Sequence, residues 1–497
     1  MTYSALWQRI EQASAGLAQR AGVARGDHVA YLGYNHPEML VLFLALARLG
    51  AVFVPLNFRL AVPELRAILA HSAAGRLVAG AGFADTVHAL LASGSQYPVL
   101  FMDEASADPC NVGAGDADAS WEAVTAAGAE PVASVGGGAD PVMIVYTSGT
   151  TGLPKGAIHT HEAVIWNAIN AIDYQGFTRD DHVLSALPMF HVGGLCIQTM
   201  PALHAGAAVT IHARFDPAAW LREVGQSRPS VSLLVPATLK AVIEHPEWMS
   251  TDIGSLRMLN TGSSTVPESL MKAFIDRGVA VTQVYGSTET GPVSIYLKPE
   301  DALRKLGSTG KVGLHVDVRL VDALGNEVAG GEVGEILVRS PALMQGYWAD
   351  PDNPSFRDGW FHSGDLARVD DEGYYHVVGR SKDMIISGGE NIYPAELENI
   401  LAACAVIAEA TVVGMPDPRW GEVAVAVVVP CAAAPGLPAL DEAMVLALFR
   451  DRIARYKHPR RVVLVDQLPR NALGKVQKDE VRRLLAGGDR QIGRGLT

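Results

Sequence analysis

The residues best placed to do chemistry form one stretch, Tyr146-Thr-Ser-Gly-Thr-Thr-Gly-Leu-Pro-Lys-Gly156, directly after the apolar run Val142–Val145. Thr147, Ser148, Thr150 and Thr151 offer hydroxyls. Gly149, Gly152 and Gly156 let backbone N–H groups approach a ligand closely, and Lys155 adds a positive charge. That composition suits a loop wrapped around phosphate oxygens, although a flexible Gly/Thr surface loop has the same residue types. It is not a Walker loop, because Lys155 follows Pro154 and precedes Gly156, and the other pairs, Gly310-Lys311 and Gly474-Lys475, are each followed by Val. No G-x-G-x-x-G follows a strand, and neither G-x-S-x-G nor H-E-x-x-H occurs, so a dinucleotide fingerprint, a serine-hydrolase elbow and a zincin site are all excluded. His159-Thr-His161 has no Cys, Asp or Glu at zinc-ligand spacing and reads as structural.

The elements that must hold this loop follow from periodicity. Leu6, Ile10, Ala13 and Leu17 repeat at helical spacing up to Gly22; 27–33 reads as a strand, 37–49 as an apolar helix from Pro37, and 51–55 as the next strand. This rhythm runs to about 290 and predicts an α/β architecture with mainly parallel, buried sheets. Residues 103–140, rich in Ala, Gly and Asp, read as a surface excursion. Beyond about 315, short alternating runs such as Val316–Val321 and Glu335–Val338, broken by turns, predict antiparallel sheet. From about 381 a second α/β segment follows: helix 394–403, strands 410–414 and 423–429, helix 441–455, strand 462–465, and a frayed end over Gly487–Thr497. The fold class is therefore multi-domain α/β, with parallel α/β sub-lobes, a β-rich sub-lobe and a small α+β C-terminal domain.

Composition sets the outer limits. The chain's 497 residues exceed what one hydrophobic core serves, and 49% apolar with 19% charged residues excludes wholesale disorder. A net charge of −13 argues against coating nucleic acid, so phosphate must be held by local arrangements. Cys110, Cys196, Cys404 and Cys431 lie far apart without a CxxC, which fits a reduced, cytoplasmic compartment. Apolar runs stop well short of a membrane span, and the start lacks a signal-peptide pattern.

The loop has companions in order along the chain: Phe190-His191, Thr261-Gly-Ser-Ser264, Tyr285-Gly-Ser-Thr-Glu-Thr290, Ser363-Gly-Asp365, Gly379-Arg-Ser-Lys-Asp383, Ser387-Gly-Gly-Glu-Asn-Ile-Tyr-Pro394 and Pro469-Arg-Asn-Ala-Leu-Gly-Lys475. With them the whole chain resembles the adenylate-forming superfamily of acyl-CoA synthetases, firefly luciferase and peptide-synthetase adenylation domains. Two positions depart from the family pattern: Thr261–Ser264 replaces a Gly-Gly-Ala type sequence, and Ser287 stands where Met is frequent. Members usually carry a further strand and helix before the segment that Met1-Thr-Tyr3 opens; either that element is dispensable or the start is assigned late.

The resemblance implies a reaction and a cast of residues. A carboxylate attacks the α-phosphorus of ATP, pyrophosphate leaves, and a thiol then displaces AMP, so catalysis is mostly positioning and charge neutralisation. It implies that Thr147, Ser148, Gly149, Thr150, Thr151, Gly152 and Lys155 hold phosphates, and that Glu289 with Thr147 holds Mg²⁺. Gly262, Ser263, Ser264, Tyr285, Gly286, Ser287 and Thr288 would surround the nucleoside, with Asp365 and Arg380 on the ribose or phosphate. Tyr285 either stacks on adenine or is a core tyrosine. Lys475 would bridge the carboxylate and the α-phosphate, and His191 would stand at the carboxylate end. Lys382 marks a hinge between domains at 1–380 and 381–497, about which the mobile C-terminal domain turns between half-reactions. Gly388, Gly389 and Glu390 would line a CoA tunnel, and Arg455 and Lys457, within a basic cluster, reach the CoA phosphates or form a solvated helix end.

The implied pocket for the acid draws on Phe190, His191, Val235, Gly262, Gly286 and Gly291, and the segments around them carry no cation to pair with a second carboxylate. The expected reaction is an ATP-, CoA- and Mg²⁺-dependent acid–CoA ligation of a hydrophobic acid, fatty or hydroxycinnamic/aromatic. Two rivals stay open: an adenylation enzyme loading a carrier protein, and a catalytically silent nucleotide binder. The partners are small molecules, without nucleic acid or a membrane span, and a homodimer is left open.

Overall fold

The helix expected after Pro37 shows how sequence becomes local structure here. In the computed structural model it spans Pro37–Leu49, its first turn is capped by His36 Nδ1 accepting from the Glu38 N–H at 3.2 Å, and Gly50 ends it with φ 65°. Pro fits the first turn because its missing N–H has no helical partner there, and Gly reaches the left-handed region without a Cβ penalty. The structure describes all residues except 93–96, 103–119, 148–153, 264–265, 352, 389, 432–439, 451, 472–473 and 488–497.

Four sheets organise the chain. The first has seven strands in the order Gly346–Tyr347, Lys155–Thr160, Pro141–Thr147, Val52–Pro55, His28–Leu32, Arg76–Gly80 and Val99–Met102. Its middle is parallel, with His28 opposite Val52 and Val29 opposite Arg76. The strand His28–Leu32 is buried at every position because helices cover both faces. Val29 and Tyr31 pack with Leu17, Met39 and Leu46, whereas Ala30 and Leu32 pack with Leu65, Leu69 and Leu90 on the other side. Period-two alternation thus feeds two cores at once.

The second sheet repeats the plan in the order Lys311–Val312, Ile295–Tyr296, Ala280–Tyr285, Met258–Gly262, Val231–Leu233, His182–Ser185 and Ala208–Ile211. The third is antiparallel, as expected: Asp317–Val321, Gly334–Arg339, Trp360–Val369 and Phe356–Arg357, with Tyr375–Arg380 paired to the long strand. The fourth belongs to the smaller C-terminal domain and contains Ile385–Ser387, Glu390–Ile392, Ile407–Asp417, Gly421–Pro430 and Arg461–Leu464. One helical turn, Ser381–Asp383, joins the third sheet to the fourth.

Three sequence expectations need correction. The stretch 103–140 is not all surface excursion: Trp121 is fully buried in the first core and its indole N–H donates to Glu38 at 2.6 Å. The helix expected over 441–455 spans only Glu442–Ala447, and a helix at Lys478–Ala486 was not foreseen. Leu195–Thr199 forms a π-helical turn directly after the Phe190-His191 pair. Its displaced carbonyls are met by side chains of a neighbouring helix, Asn167 on Cys196 O at 2.7 Å and Gln175 on Ile197 O at 2.7 Å. No described helix is long and apolar enough to cross a membrane.

Candidate active site

The phosphate-loop motif is the connection of a hairpin. Pro141–Thr147 and Lys155–Thr160 pair antiparallel with Thr147 opposite Lys155, and the Thr147 hydroxyl reaches the Lys155 carbonyl at 3.5 Å. Ser148, Gly149, Thr150, Thr151 and Gly152 lie outside the described residues, as do Ser264 and Gly389. Lys155 sits at the hairpin's exit, with its ammonium 3.6 Å from Asp350 and 5.0 Å from the centroid of the Tyr347 ring.

The Tyr285–Thr290 motif leaves the end of a central strand of the second sheet and turns sharply. Ser287 makes that turn: its N–H donates to the Thr290 hydroxyl at 2.9 Å, and the Thr290 N–H donates back to the Ser287 hydroxyl at 3.2 Å. The reciprocal pair presents Glu289, whose Oε1 accepts from the Tyr347 hydroxyl at 2.8 Å. Behind it, His159 is buried against the Thr288 backbone, and burial pushes its imidazole down to about 4. His159 is therefore neutral near pH 7, as a structural histidine should be.

A chain of polar contacts ties Tyr285, Asp365 and Arg380 together. The Tyr285 hydroxyl donates to Asp365 Oδ2 at 2.9 Å, and Arg380 Nε donates to Asp365 Oδ1 at 2.8 Å. Burial, and then the charge of Asp365, raise the Tyr285 phenol well above its ordinary range, so it remains a donor. Asp365 is only 7% exposed and both its oxygens already have a protein partner, so a ribose would use the remaining lone pairs.

Lys475 enters the same place from the far end of the chain. Crowding by protein atoms, with Arg380 close by, pushes its ammonium below the usual lysine range, while Asp365 and Glu289 pull it back up. The residue nonetheless remains exposed to solvent. Crowding, which limits how much water can solvate the charge, decides the direction of the shift. His191 is lowered to about 4 by burial and by the charge of Lys475. Its Nδ1 accepts from the Gly193 N–H at 3.0 Å, so the neutral ring carries its proton on Nε2. Phe190 is buried and meets Phe58 edge-on at 5.3 Å. Residues separated by up to 284 positions (His191 to Lys475) thus share one electrostatic neighbourhood.

The glycines expected in the acid pocket have a backbone role. A Cβ on Gly262 would lie 2.4 Å from Val284 O, on Gly286 2.5 Å from the Pro292 carbonyl, and on Gly291 2.8 Å from Ala342 O. Close backbone approach therefore requires glycine at all three positions. Ser263 takes φ 71°, a left-handed conformation that costs a serine about 1 kcal/mol and is commonest where function demands it. Val235 caps the helix Pro236–Ile243, in which Lys240 Nζ donates to Ala408 O of the C-terminal domain at 2.9 Å.

Among the expected hinge and CoA residues, Lys382 lies 4.0 Å from Asp479 and neighbouring Asp383 pairs with Arg482 at 3.0 Å, which ties the linking turn to the final helix. Gly388 is held by Trp420, since a Cβ there would lie 2.7 Å from the indole. Glu390 and Arg455 are exposed, and Lys457 is committed to Glu396 at 2.6 Å. Tyr347, Asp350, His159 and Lys240 were not singled out as functional from the sequence. No periodicity marks them, because each acts through a contact made by the fold.

The site can be tested for Mg²⁺. No described cluster of three or more His, Cys, Asp or Glu could cage a metal. The single carboxylate of Glu289, with one oxygen already bound, fits Mg²⁺, which takes one or two carboxylates and completes its shell with phosphate and water.

Fold and site together describe a large α/β domain and a smaller one that brings Lys475 near His191, Glu289, Asp365 and Arg380. Residues 1–348 match the family model of the AMP-binding enzyme and residues 396–475 that of the AMP-binding enzyme C-terminal domain. The chain is 47% identical over 490 residues to an indoleacetate–CoA ligase of Aromatoleum aromaticum, covering 98% of this chain and 93% of that one. It is 44% identical to a feruloyl-CoA synthase of Amycolatopsis, with 97% and 94% covered. Its structure superposes on ATP-bound MatB of Rhodopseudomonas palustris with a TM-score of 0.85 at 32% identity, covering 97% of this chain and 93% of that one. On the apo form of the same protein the TM-score is 0.77. The chain belongs to the AMP-binding enzyme family, among its ATP-dependent acyl-CoA synthetases.

Proposed function

We propose that this protein activates an aromatic monocarboxylic acid as its CoA thioester through an acyl adenylate. The observation that carries the reading is Lys475, which the C-terminal domain brings into the neighbourhood of His191, Glu289, Asp365 and Arg380. A mere nucleotide binder has no need of a delivered cation there. In the first half-reaction a carboxylate oxygen attacks the α-phosphorus, the bond to the bridging oxygen breaks and pyrophosphate departs. Lys475 is a point charge suited to draw the two anions together. Thr147, Lys155 and the loop between them would hold the departing phosphates, with Glu289 and Thr147 holding Mg²⁺, which supplies charge neutralisation when bound. Asp365, Arg380 and Tyr285 would fix the nucleoside, with Gly262, Ser263, Gly286, Ser287 and Thr288 shaping its surroundings. His191, neutral at working pH, is suited to the carboxylate end because it adds no competing charge.

In the second half-reaction the CoA thiolate attacks the acyl carbonyl and AMP leaves with the bonding pair. Lys475 would stand in the thiol's way, so the C-terminal domain must turn, and Ser381–Asp383 is the natural pivot between 1–380 and 381–497. The better superposition on the ATP-bound form supports reading the present arrangement as the adenylating one. Gly388–Glu390 and Arg455 are then the candidates to meet CoA after the turn. Lys457 joins them only if it leaves Glu396.

Two relatives whose names carry an aromatic acid support the substrate class, as does the lack of a cation in the pocket segments. A fatty acid is the second choice. The test is mass spectrometry of the protein with Mg·ATP, CoA and a panel of fatty, benzoic, cinnamic, ferulic, arylacetic and malonic acids. Aryl thioesters formed fastest support the reading. Preferred malonate refutes the pocket argument, and adenylate without thioester points to a carrier protein as acceptor. The same reading places the enzyme in the cytoplasm, and light scattering tests for a homodimer.

A further inference from the structure

The segment after the third sheet's second strand contributes to the phosphate end of the site in a way the motifs do not announce. Gly346 and Tyr347 pair with Ile158 and Ala157 at the edge of the first sheet, the Gln345 N–H donates to Ile158 O at 2.8 Å and the Trp348 N–H to Gly156 O at 2.7 Å. From the other side, the Met344 N–H donates to Glu289 O at 2.9 Å. The segment is therefore stitched to both the phosphate-loop hairpin and the Glu289 turn. Tyr347 stands between them. Its hydroxyl donates to Glu289 Oε1 at 2.8 Å, and its ring face lies 5.0 Å from the Lys155 ammonium.

We propose that Tyr347 is a positioning residue for the metal–triphosphate end of the site: it fixes the Glu289 carboxylate with its hydroxyl and Lys155 with its ring. A carboxylate given one hydrogen bond keeps its second oxygen directed and available for a hard cation, and such outer partners tune metal affinity. A ring face attracts an ammonium without adding an anionic charge that competes with phosphate, so it can hold Lys155 both with and without phosphate present. Asp350, 3.6 Å from the same ammonium and held by Asn353 at 2.6 Å, gives Lys155 a second anchor when no phosphate is near.

The inference rests on the ligase reading, and its test separates the two. Calorimetric titration with ATP, once with Mg²⁺ and once with EDTA, is made on the wild type, Tyr347→Phe and Tyr347→Leu, with thermal melts as a check on folding. Tyr347→Phe keeps the ring and loses only the hydroxyl. It should bind Mg·ATP roughly tenfold more weakly and metal-free ATP as the wild type does. Tyr347→Leu should weaken both. Equal losses with and without Mg²⁺ for Tyr347→Phe, or none, overturn the assignment. A wild type that binds no ATP overturns the ligase reading itself.

Discussion

Lys240 offers a sharp test of the domain alternation. It lies in the helix that Val235 caps and donates to Ala408 O across the two domains at 2.9 Å, with Glu244 3.8 Å away on its own helix. The side chain is 37% exposed, so this charge-assisted bond is worth only about 1 kcal/mol, the low end for its kind. Lys240→Met keeps the apolar stem and deletes the bond. Because each turnover must visit both poses, the bias between them is modest, and about 1 kcal/mol changes the docked-to-undocked ratio about fivefold. Acid-dependent exchange of labelled pyrophosphate into ATP reads the docked pose and should fall by about three- to fivefold. Thioester formation from supplied acyl adenylate and CoA reads the other pose and should stay level or rise. If both half-reactions fall together, Lys240 serves general stability and the latch argument is wrong. An undiminished exchange rate refutes it equally.

Other perturbations have defined outcomes. Lys475→Ala should lower pyrophosphate exchange by about 10²–10³-fold while ATP binding and thioesterification of supplied adenylate persist. In the wild type, exchange should fail on the alkaline side below the ordinary lysine range, because the ammonium's affinity for its proton is reduced. Burial holds His159 at about 4 against 6.5 in the unfolded chain, so the unfolded state takes up the proton first as pH falls. The stability that depends on neutral His159 is complete above about 6.5 and lost as pH drops toward 4. At pH 5 this amounts to about 2 kcal/mol. Urea unfolding at pH 7 and 5 should show His159→Gln losing correspondingly less than the wild type, and an identical loss refutes the assignment. Gly286→Ala drives a Cβ into the Pro292 carbonyl. It should destabilise by about 1–3 kcal/mol, read by denaturant midpoint, and displace the Glu289 turn enough to weaken nucleotide binding.

Much of the candidate site was legible because its motifs are local. A hydroxyl- and glycine-rich hairpin loop, a Tyr-Gly-x-Thr-Glu turn and a Gly-Lys loop are each short, and their residue types follow from phosphate, metal and backbone geometry. Helix limits at Pro37 and Gly50 were legible for the same reason, since caps are written within one turn. What could not be read were relations between distant segments. Trp121 lies in a stretch whose composition suggests surface, and only its packing against Glu38 and the first core makes it interior.

The sequence by itself determined which groups are present and the local backbone several of them require: the α/β rhythm, the helix caps, the glycine-bearing turns. The tertiary structure alone decided which of them meet. It set Tyr347 between Glu289 and Lys155, used both oxygens of Asp365 on Tyr285 and Arg380, lowered His191 through burial and then a lysine from the other domain, and committed Lys457 to Glu396. The reason is physical: propensity and capping act over a few residues along the chain, whereas hydrogen bonds, crowding and Coulomb fields act through space, and only the packed sheets fix those distances.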